Sequence, residues 1–391
     1  MFKKDYHLHN PSINKLDINN VSKTLKSGWV STSGKIITDF EKKISNKLGI
    51  KYCVALNSGT SSLHLALKAV GVKKNDEVIV PTVTFIAPVN AIKYNNAYPI
   101  FMDVDKYLNI DINKTINFLN NNTFLKKGKT YNKKTKKIIK AVIIVHVFGN
   151  ACNFEKLLYE CNKRNIFCIE DAAESFGTKH NFGKFKDKYT ATTGTVGCLS
   201  FNGNKIITTG SGGAIVTNSK KIANKIMYLS NQAKNDARNF IHDEVGYNYR
   251  MNSISAALGL SQIKNLDKFI KLKKNIFHQY KENLKNLKYT TLLNDINYSK
   301  NNFWLVILKI DFNKYKKNKN KLINYLERKK IYARPLWKLN HLQKPFINCQ
   351  SYDIKNANIY YSRSICLPSS PSLSLKEVNF ITSCIKNFLA K

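Results

Sequence analysis

The organisation of the chain is set by Ser200-Phe201-Asn202-Gly203-Asn204-Lys205-Ile206-Ile207-Thr208-Thr209-Gly210-Ser211-Gly212-Gly213. A β-rich run, Thr195–Phe201, leads into this stretch, and a short apolar run, Ala214–Thr217, follows it. The pattern predicts two strands joined by a turn-rich segment that carries Lys205 among polar, hydroxyl-bearing and glycine residues. In a chain with 64 lysines and arginines, a lysine is normally a solvated surface charge. A lysine partly removed from water can instead attack a carbonyl group and form a Schiff base.

Asp171 lies 34 residues before Lys205, where the apolar run Ile166–Ile169 ends. An acid at the carboxyl end of a buried strand is where α/β sheets place ligand contacts. Pyridoxal phosphate needs an acid against its pyridinium nitrogen, because the protonated ring withdraws electrons during the reaction. Either residue alone is a weak signal, but the pair indicates a pyridoxal phosphate site.

A phosphate-binding turn is indicated by the sequence around residue 59. The short apolar run Tyr52–Leu56 predicts a buried strand, and it is followed by Asn57–Ser62 and then by a predicted helix through Val70. A strand, a glycine turn and a helix start direct free backbone N–H groups toward an anion. Gly59, Thr60 and Ser61 are the candidate phosphate ligands, although an ordinary helix N-cap explains the same residues.

Strands and helices alternate along much of the chain, which is typical of a doubly wound α/β fold. We expect a mainly parallel central sheet with helices on both faces in residues 1–250, which include the N-terminal arm. Residues 251–391 are predicted to form bridging helices and a smaller C-terminal α+β domain. The lysine- and asparagine-rich piece Asn120–Lys137 resembles a solvated loop insertion. His146 ends a buried run and is equally well explained as a core histidine.

The charge of the chain is large but dispersed. The 391 residues carry a formal net charge of +39, and only six of the 64 basic residues are arginine. Proteins that read nucleic acids rely on arginine for bidentate base contacts, and here the lysines are spread among asparagine and isoleucine. We therefore interpret the charge as compositional bias that still attracts anionic substrates, and a basic nucleic-acid-binding protein remains the alternative.

Composition also indicates the cellular compartment that we expect for the protein. No run of 18 apolar residues predicts a membrane-spanning helix, and Met1–Pro11 has no apolar segment of the kind found in a secretory signal. The eight cysteines form no C-x-x-C pair, so we expect reduced thiols and a cytoplasmic protein. The sequence shows no spacing typical of metal ligands, and no metal is expected.

Several sequence motifs of the chain resemble those of a known family. Motifs from Gly28-Trp29-Val30-Ser31 to Ile365-Cys366-Leu367-Pro368-Ser369 are similar to those of the DegT/DnrJ/EryC-type sugar aminotransferases, which are fold-type I pyridoxal phosphate enzymes. Phe201–Thr209 and Gly246–Met251 look most like the branch that makes 4-amino sugars of the bacillosamine and legionaminic acid routes. The resemblance implies L-glutamate as amino donor and a nucleotide-linked keto sugar as acceptor, to make an amino sugar for surface glycans.

The sugar implied is a UDP- or GDP-linked 4-keto-6-deoxy sugar, often 2-acetamido, and a 3-keto sugar is the alternative. The resemblance also implies a homodimer with shared active sites. Some relatives replace the lysine by histidine and dehydrate their substrate, and Lys205 argues against that reaction here. A non-catalytic member with a regulatory role stays open. Many relatives carry an acid where this chain has Ser211, which leaves the role of that position open.

The resemblance implies a role for each candidate residue. Lys205 would hold the cofactor and act as general base and acid, while Asp171 would keep the ring nitrogen protonated. The remaining cofactor contacts would come from Gly59, Thr60, Ser61, Phe85, Glu174, Ser200 and Asn248. Phe85 would stack on the ring, Glu174 would touch the ring hydroxyl, and Asn248 would reach the phosphate bound by the neighbouring subunit. Substrate contacts are expected from Trp29, Arg334 and His341. Core, capping or surface roles remain alternatives for Phe85, Trp29, Asn248 and Arg334.

Overall fold

A computed structural model describes residues 4–236 and 238–390 of the chain. Its helices are α1 (Lys15–Lys26), α2 (Lys35–Leu48), α3 (Gly59–Ala69), α4 (Ile86–Tyr94), α5 (Ile112–Asn122), α6 (Glu155–Lys163), α7 (Lys220–Ser230), α8 (Ser253–Gln262), α9 (Leu266–Leu284), α10 (Lys319–Arg328), α11 (Asn356–Arg363) and α12 (Leu375–Ala390). Short 3₁₀ turns lie at Val147–Gly149, Gly183–Phe185, Ile263–Asn265, Asn340–Leu342 and Lys344–Phe346.

The strands fall into one large sheet, one smaller sheet and three two-stranded ribbons. They are β1 (Tyr52–Leu56), β2 (Glu77–Pro81), β3 (Tyr98–Met102), β4 (Thr123–Lys126), β5 (Lys129–Asn132), β6 (Ile139–Val145), β7 (Phe167–Asp171), β8 (Lys179–His180), β9 (Val196–Ser200), β10 (Gly213–Thr217), β11 (Lys234–Asp236), β12 (Ile241–His242), β13 (Thr290–Leu292), β14 (Ser299–Lys300), β15 (Val306–Ile310), β16 (Arg334–Pro335), β17 (Gln350–Tyr352) and β18 (Ser364–Leu367).

The large sheet has the order β1-β10-β9-β7-β6-β2-β3-β17. All neighbours from β9 to β17 pair in parallel, while β10 is antiparallel to both β1 and β9. The prediction of a mainly parallel α/β sheet is confirmed. Because the parallel strands run in one direction, their carboxyl ends lie along one edge of the sheet, where ligands bind in this class of fold.

Helices cover both faces of the large sheet, because apolar side chains project from both faces. Side chains alternate between faces along a strand, so that Val78 and Val80 enter one core and Ile79 enters another. The first core is shared with α3, α4 and α7. The opposite face packs against α2 and α8 near β1 and β10, and against α5 and α6 near β3 and β6. The sheet is therefore buried on both sides, as its continuous apolar strands predict.

The C-terminal part of the chain forms a second, antiparallel sheet of order β13-β15-β18-β16. Residues of α9, α10 and α12 pack on it in a separate apolar cluster, and Tyr6 of the N-terminal arm joins them. The proposed boundary near residue 250 stays a prediction. The polypeptide also returns to the large sheet, since β17 pairs in parallel with β3. Buried Asp103 fixes this return by accepting the backbone N–H groups of residues 355, 356 and 357.

The predicted solvated loop at Asn120–Lys137 is wrong. The segment forms a hairpin of β4 and β5, with Phe124 stacked on Tyr131 at 5.4 Å between ring centroids. Its last strand residue, Asn132, is fully buried and donates to Glu77 Oε2 and Gln350 Oε1, each at 2.8 Å. Buried amide hydrogen bonds to the sheet therefore give this polar segment a fixed place, which its composition does not show.

Within the described ranges, none of the helices combines the length and the apolar character needed to cross a lipid bilayer.

Candidate active site

A cavity of about 650 Å³ opens at the carboxyl edge of the large sheet. The large sheet contributes strand ends and the start of α3, the C-terminal region contributes Trp304 and residues 332–337, and the N-terminal arm contributes residues 7–10. Eight of the candidate residues line this one cavity: Gly59, Thr60, Phe85, Asp171, Glu174, Ser200, Lys205 and Arg334. The structure thus brings together residues that are up to 275 positions apart in the sequence.

Lys205 lies in the loop that joins β9 to β10. The loop is closed by backbone hydrogen bonds from Lys205 N to Asn202 O and from Thr209 N to Phe201 O, both 2.9 Å. The side chain is 11% exposed, and its Nζ lies 3.8 Å from Glu174 Oε1 and 4.2 Å from the ring centroid of Trp304. The amine is thus largely removed from water and held between a carboxylate and an aromatic face, as the sequence predicts for a reactive lysine.

Asp171 is the last residue of β7, so its carboxylate lies at the carboxyl edge of the sheet. It is 5% exposed, and Oδ1 accepts the N–H of Ala173 at 3.0 Å. Burial raises the pKa of Asp171, while that hydrogen bond and the charge of Lys205 oppose the rise. A buried carboxylate of this kind is best stabilised by a cationic partner, such as a protonated ring nitrogen.

Glu174 connects Lys205 to a strained turn after β6. Its Oε2 accepts the N–H of Phe148 at 2.7 Å, and its Oε1 faces Lys205. Phe148 has a φ of +55°, a left-handed conformation that is costly for a bulky residue. The hydrogen bond to Glu174 therefore helps to hold the backbone in this conformation. Burial raises the pKa of Glu174 to about 7, against the opposing effect of Lys205.

The raised pKa of Glu174 predicts a pH dependence of stability in the cofactor-free chain. The unfolded state loses this proton near pH 4.5 and the folded state near pH 7, so the free energy of unfolding should fall as the pH rises through that window. Glu174→Gln keeps an acceptor for Phe148 but does not titrate, and should remove about 3 kcal/mol of that decline. Urea unfolding from pH 4 to pH 8 measures it, with exposed Glu327→Gln as the control. An unchanged slope in Glu174→Gln would show that Glu174 is ionised throughout.

The start of α3 forms part of the cavity wall. Ser58 caps the helix, since its Oγ accepts the N–H of Ser61 at 3.0 Å and its carbonyl accepts the N–H of Ser62 at 3.1 Å. The N–H groups of Gly59 and Thr60 therefore remain for an anion. A Cβ atom on Gly59 would lie 2.7 Å from Cβ of Ser200, so only glycine allows the helix to approach the end of β9 this closely.

Four candidate residues lie outside this cavity. Ser61 sits behind the helix start, where its Oγ donates to Asn57 Oδ1 at 2.7 Å. His341 is half-buried and its Nδ1 is bonded to Thr82 Oγ1 at 2.7 Å. Trp29 is 57% exposed and donates from Nε1 to Ser33 O, and Asn248 is exposed. None of the four reaches the cavity within a single described chain, so their ligand contacts stay predictions.

Sequence reasoning missed Trp304 and the N-terminal residues of the cavity. Trp304 is 3% exposed and its Nε1 donates to Asn204 O at 2.7 Å, next to Lys205. Residues 7–10 are brought to the site because Ser369 N donates to Leu8 O and Asn10 N donates to Ser370 Oγ. The scarcity of tryptophan, with three in the chain, was the available signal for Trp304. No local pattern marks residues 7–10.

Comparisons with known proteins agree with this geometry. The chain is 36% identical over 383 residues to the GDP-perosamine synthase of Escherichia coli O157:H7, covering 97% of this chain and 98% of that protein. It is 28% identical over 388 residues to the UDP-4-amino-4,6-dideoxy-N-acetyl-beta-L-altrosamine transaminase of Campylobacter jejuni, covering 97% and 96%.

A solved structure shares the fold. The aminotransferase PseC of Helicobacter pylori, involved in the biosynthesis of pseudoaminic acid, superposes with a TM-score of 0.88 at 23% identity and covers 99% of this chain and all of that one. The profile of the DegT/DnrJ/EryC1/StrS aminotransferase family matches residues 11–386, almost the whole chain. The chain therefore belongs to the DegT/DnrJ/EryC1/StrS aminotransferase family.

Proposed function

We propose that this protein is a pyridoxal phosphate-dependent aminotransferase that moves the amino group of L-glutamate onto carbon 4 of a keto-6-deoxy sugar carried by a nucleoside diphosphate. The observation that carries the proposal is the convergence of Lys205, Asp171, Glu174 and the free start of α3 in one cavity. A reactive amine, a buried acid and an anion-binding helix start are the three contacts that this cofactor needs.

The residues present fit the cofactor. Gly59 and Thr60 line the cavity at the start of α3, and their N–H groups would bind a phosphate group. Asp171 would hold the ring nitrogen, and Phe85, half-exposed at the cavity wall, would cover one face of the ring. Ser200 adds a hydroxyl group beside the start of α3. When bound, pyridoxal phosphate supplies a carbonyl group that takes up the amino group and a protonated ring that withdraws electrons.

The chain's own residues supply the proton transfers. Lys205 Nζ takes the proton from Cα of the amino donor and later returns a proton to the sugar carbon, acting as general base and then as general acid. Asp171 would stay ionised beside the cationic ring nitrogen, because that opposite charge offsets the effect of burial, which by itself raises the pKa of Asp171. Glu174 keeps Lys205 within 3.8 Å of a carboxylate and would bind the ring hydroxyl.

The acceptor binds at the outer part of the cavity. Arg334 is exposed there, and no carboxylate among the described residues pairs with its guanidinium group. A guanidinium group binds phosphate oxygens in a bidentate way, so Arg334 suits the diphosphate of a nucleotide sugar. The names of the two relatives specify a GDP-linked sugar in one case and a UDP-linked 4-amino-4,6-dideoxy sugar in the other. Both support nucleotide-linked sugars, and the second supports amination at carbon 4.

We further propose a homodimer with shared sites. Asn248 and Trp29 are exposed in the single chain and lie away from its own cavity. Both belong to surface near α8, since Ser253 at the start of α8 donates to Ser31 O at 2.9 Å. A two-fold contact through this surface would place Asn248 at the phosphate bound by the partner subunit. His341 and Ser61 would then support the cavity wall from behind.

A panel of acceptors tests the function. The purified protein, loaded with pyridoxal phosphate and supplied with L-glutamate, should release at most one 2-oxoglutarate per site on its own, and should release it continuously only when a keto sugar nucleotide is added. We expect one GDP- or UDP-linked 4-keto-6-deoxy sugar to exceed the matched 3-keto sugar by about 100-fold in kcat/KM, since positioning of the reacting carbon decides the rate. NMR of the product locates the new amino group. Amination at carbon 3, or no release of 2-oxoglutarate with any acceptor, would contradict the proposal.

A further inference from the structure

The free amine of Lys205 has a second neighbour that the reaction chemistry does not require. Its Nζ lies over the indole ring of Trp304, 4.2 Å from the ring centroid. A cation over the face of an indole is attracted by the negative charge of that face, and the attraction grows when water is excluded. Since the lysine side chain is only 11% exposed, this contact is of the stronger kind.

Three hydrogen bonds fix the position of Trp304. Its Nε1 donates to the carbonyl of Asn204 at 2.7 Å, which ties the ring to the residue directly before Lys205. Its backbone N–H donates to Asn302 Oδ1 at 2.9 Å, and its carbonyl accepts the hydroxyl of Ser369 at 3.1 Å. Trp304 and Lys205 are 99 positions apart, so the contact depends on the C-terminal region docking on the β9–β10 loop.

The indole is also one layer of an aromatic stack. Phe148 lies nearly parallel to it, with centroids 6.3 Å apart and a 12° angle between the planes. Trp337 also stacks on Phe148, with centroids 4.7 Å apart, and Phe85 meets Trp337 edge-on at 5.9 Å. Glu174 holds Phe148 through Oε2 and faces Lys205 through Oε1. The two groups around the amine are therefore coupled through one rigid assembly.

A lysine that carries a cofactor and also moves protons has to stay near the reacting carbon when it is free. Its side chain has four rotatable bonds, and a free ammonium group in a cavity of about 650 Å³ could adopt many positions. We infer that Trp304 is a positioning residue whose indole face holds the free Lys205 ammonium group beside Glu174, within reach of the carbon atoms whose protons it moves. The inference rests on the proposed function, which gives the free amine its role.

The contact can be measured without the cofactor. In the cofactor-free protein, trace acetylation with isotope-labelled acetic anhydride, followed by peptide mass spectrometry, gives the reactivity of Lys205 relative to the surface lysines. Trp304→Leu should raise the relative acetylation rate of Lys205 by about 5- to 30-fold, the factor that corresponds to losing a contact of about 1–2 kcal/mol. Trp304→Phe keeps an aromatic face and should give an intermediate rate. Phe182→Leu, at an exposed aromatic residue that does not line the cavity, is the control and should stay near the parent value.

The loaded enzyme gives a second, kinetic readout. With glutamate deuterated at Cα, Trp304→Leu should lower kcat about 10-fold, leave KM for glutamate within two-fold and raise the isotope effect on kcat, because proton transfer becomes slower than the other steps. A parent-like acetylation rate of Lys205 in folded Trp304→Leu, checked by thermal melting, would overturn the inference, and so would a rate in Trp304→Phe as high as in Trp304→Leu. Absence of aminotransferase activity in the parent would contradict the proposed function alone, since the acetylation test does not use it.

Discussion

Lys205→Ala is expected to lower turnover by roughly four orders of magnitude, because it would remove both the proposed attachment point of the cofactor and the proposed general base. The Lys205 side chain is 11% exposed, and its amine lies between Glu174 and Trp304. Among the described residues, no other lysine lines the cavity. A neighbouring lysine therefore cannot take over its role.

Two measurements check this expectation. The parent protein, loaded with cofactor, should absorb in the visible region, and borohydride reduction followed by peptide mapping should place the cofactor on Lys205. Turnover of glutamate and keto sugar nucleotide is then compared for Lys205→Ala and for Lys285→Ala, an exposed lysine directly after α9 whose loss should have no effect beyond about two-fold. A label on another lysine, or an active Lys205→Ala protein, would remove Lys205 from the mechanism.

Asp171→Asn is expected to lower kcat by about 100- to 1,000-fold, the usual cost of removing one preorganised electrostatic contact in an active site. Asparagine keeps the size of the side chain and can still accept the N–H of Ala173, but it cannot stabilise a positive charge on the ring nitrogen. The loss should therefore appear in kcat and less in cofactor retention, since the proposed phosphate contacts at the start of α3 would remain.

Stability separates this effect from misfolding. Burial raises the pKa of Asp171, which means that the cofactor-free fold bears a cost for ionising this group at neutral pH. Asp171→Asn removes that cost, so the cofactor-free variant should unfold at the same or a higher urea concentration than the parent at pH 8 while its activity is lost. Asp187→Asn, at an exposed ion pair with Lys300, is the matched control. An unstable Asp171→Asn protein, or one with parent-like kcat, would show that Asp171 serves the fold rather than the reaction.

The sequence predicts the large sheet and the core of the site because both depend on local pattern. Continuous apolar runs mark the parallel strands, and an acid or a glycine turn directly after such a run marks their carboxyl ends. Asp171, Gly59 and Lys205 each follow or lie next to a strand in this way, and the structure places all three on one cavity.

The rest of the cavity depends on contacts between distant segments. Trp304 meets Lys205 through a hydrogen bond to Asn204, and residues 8–10 are placed by Ser369 and Ser370, more than 350 positions away. The hairpin of β4 and β5 looks like a solvated loop because its local sequence does not show the bonds that anchor it, such as those from Asn132 to Glu77 and Gln350. Periodicity and turn signals carry no information about such pairings.

The return of the chain to β3 through β17 has a consequence for biosynthesis. Until residues 350–352 have been made, β3 is the open edge of the large sheet, and about 250 residues separate the two strands. At ribosomal speed that interval lasts roughly 10–50 s. During this time the buried residues Ile100, Phe101 and Met102 lack their final neighbour, and an unpaired apolar edge is a template for association with other chains. The large sheet is therefore completed only after most of the C-terminal region has emerged, so the nascent chain passes through an aggregation-sensitive stage that its finished fold conceals.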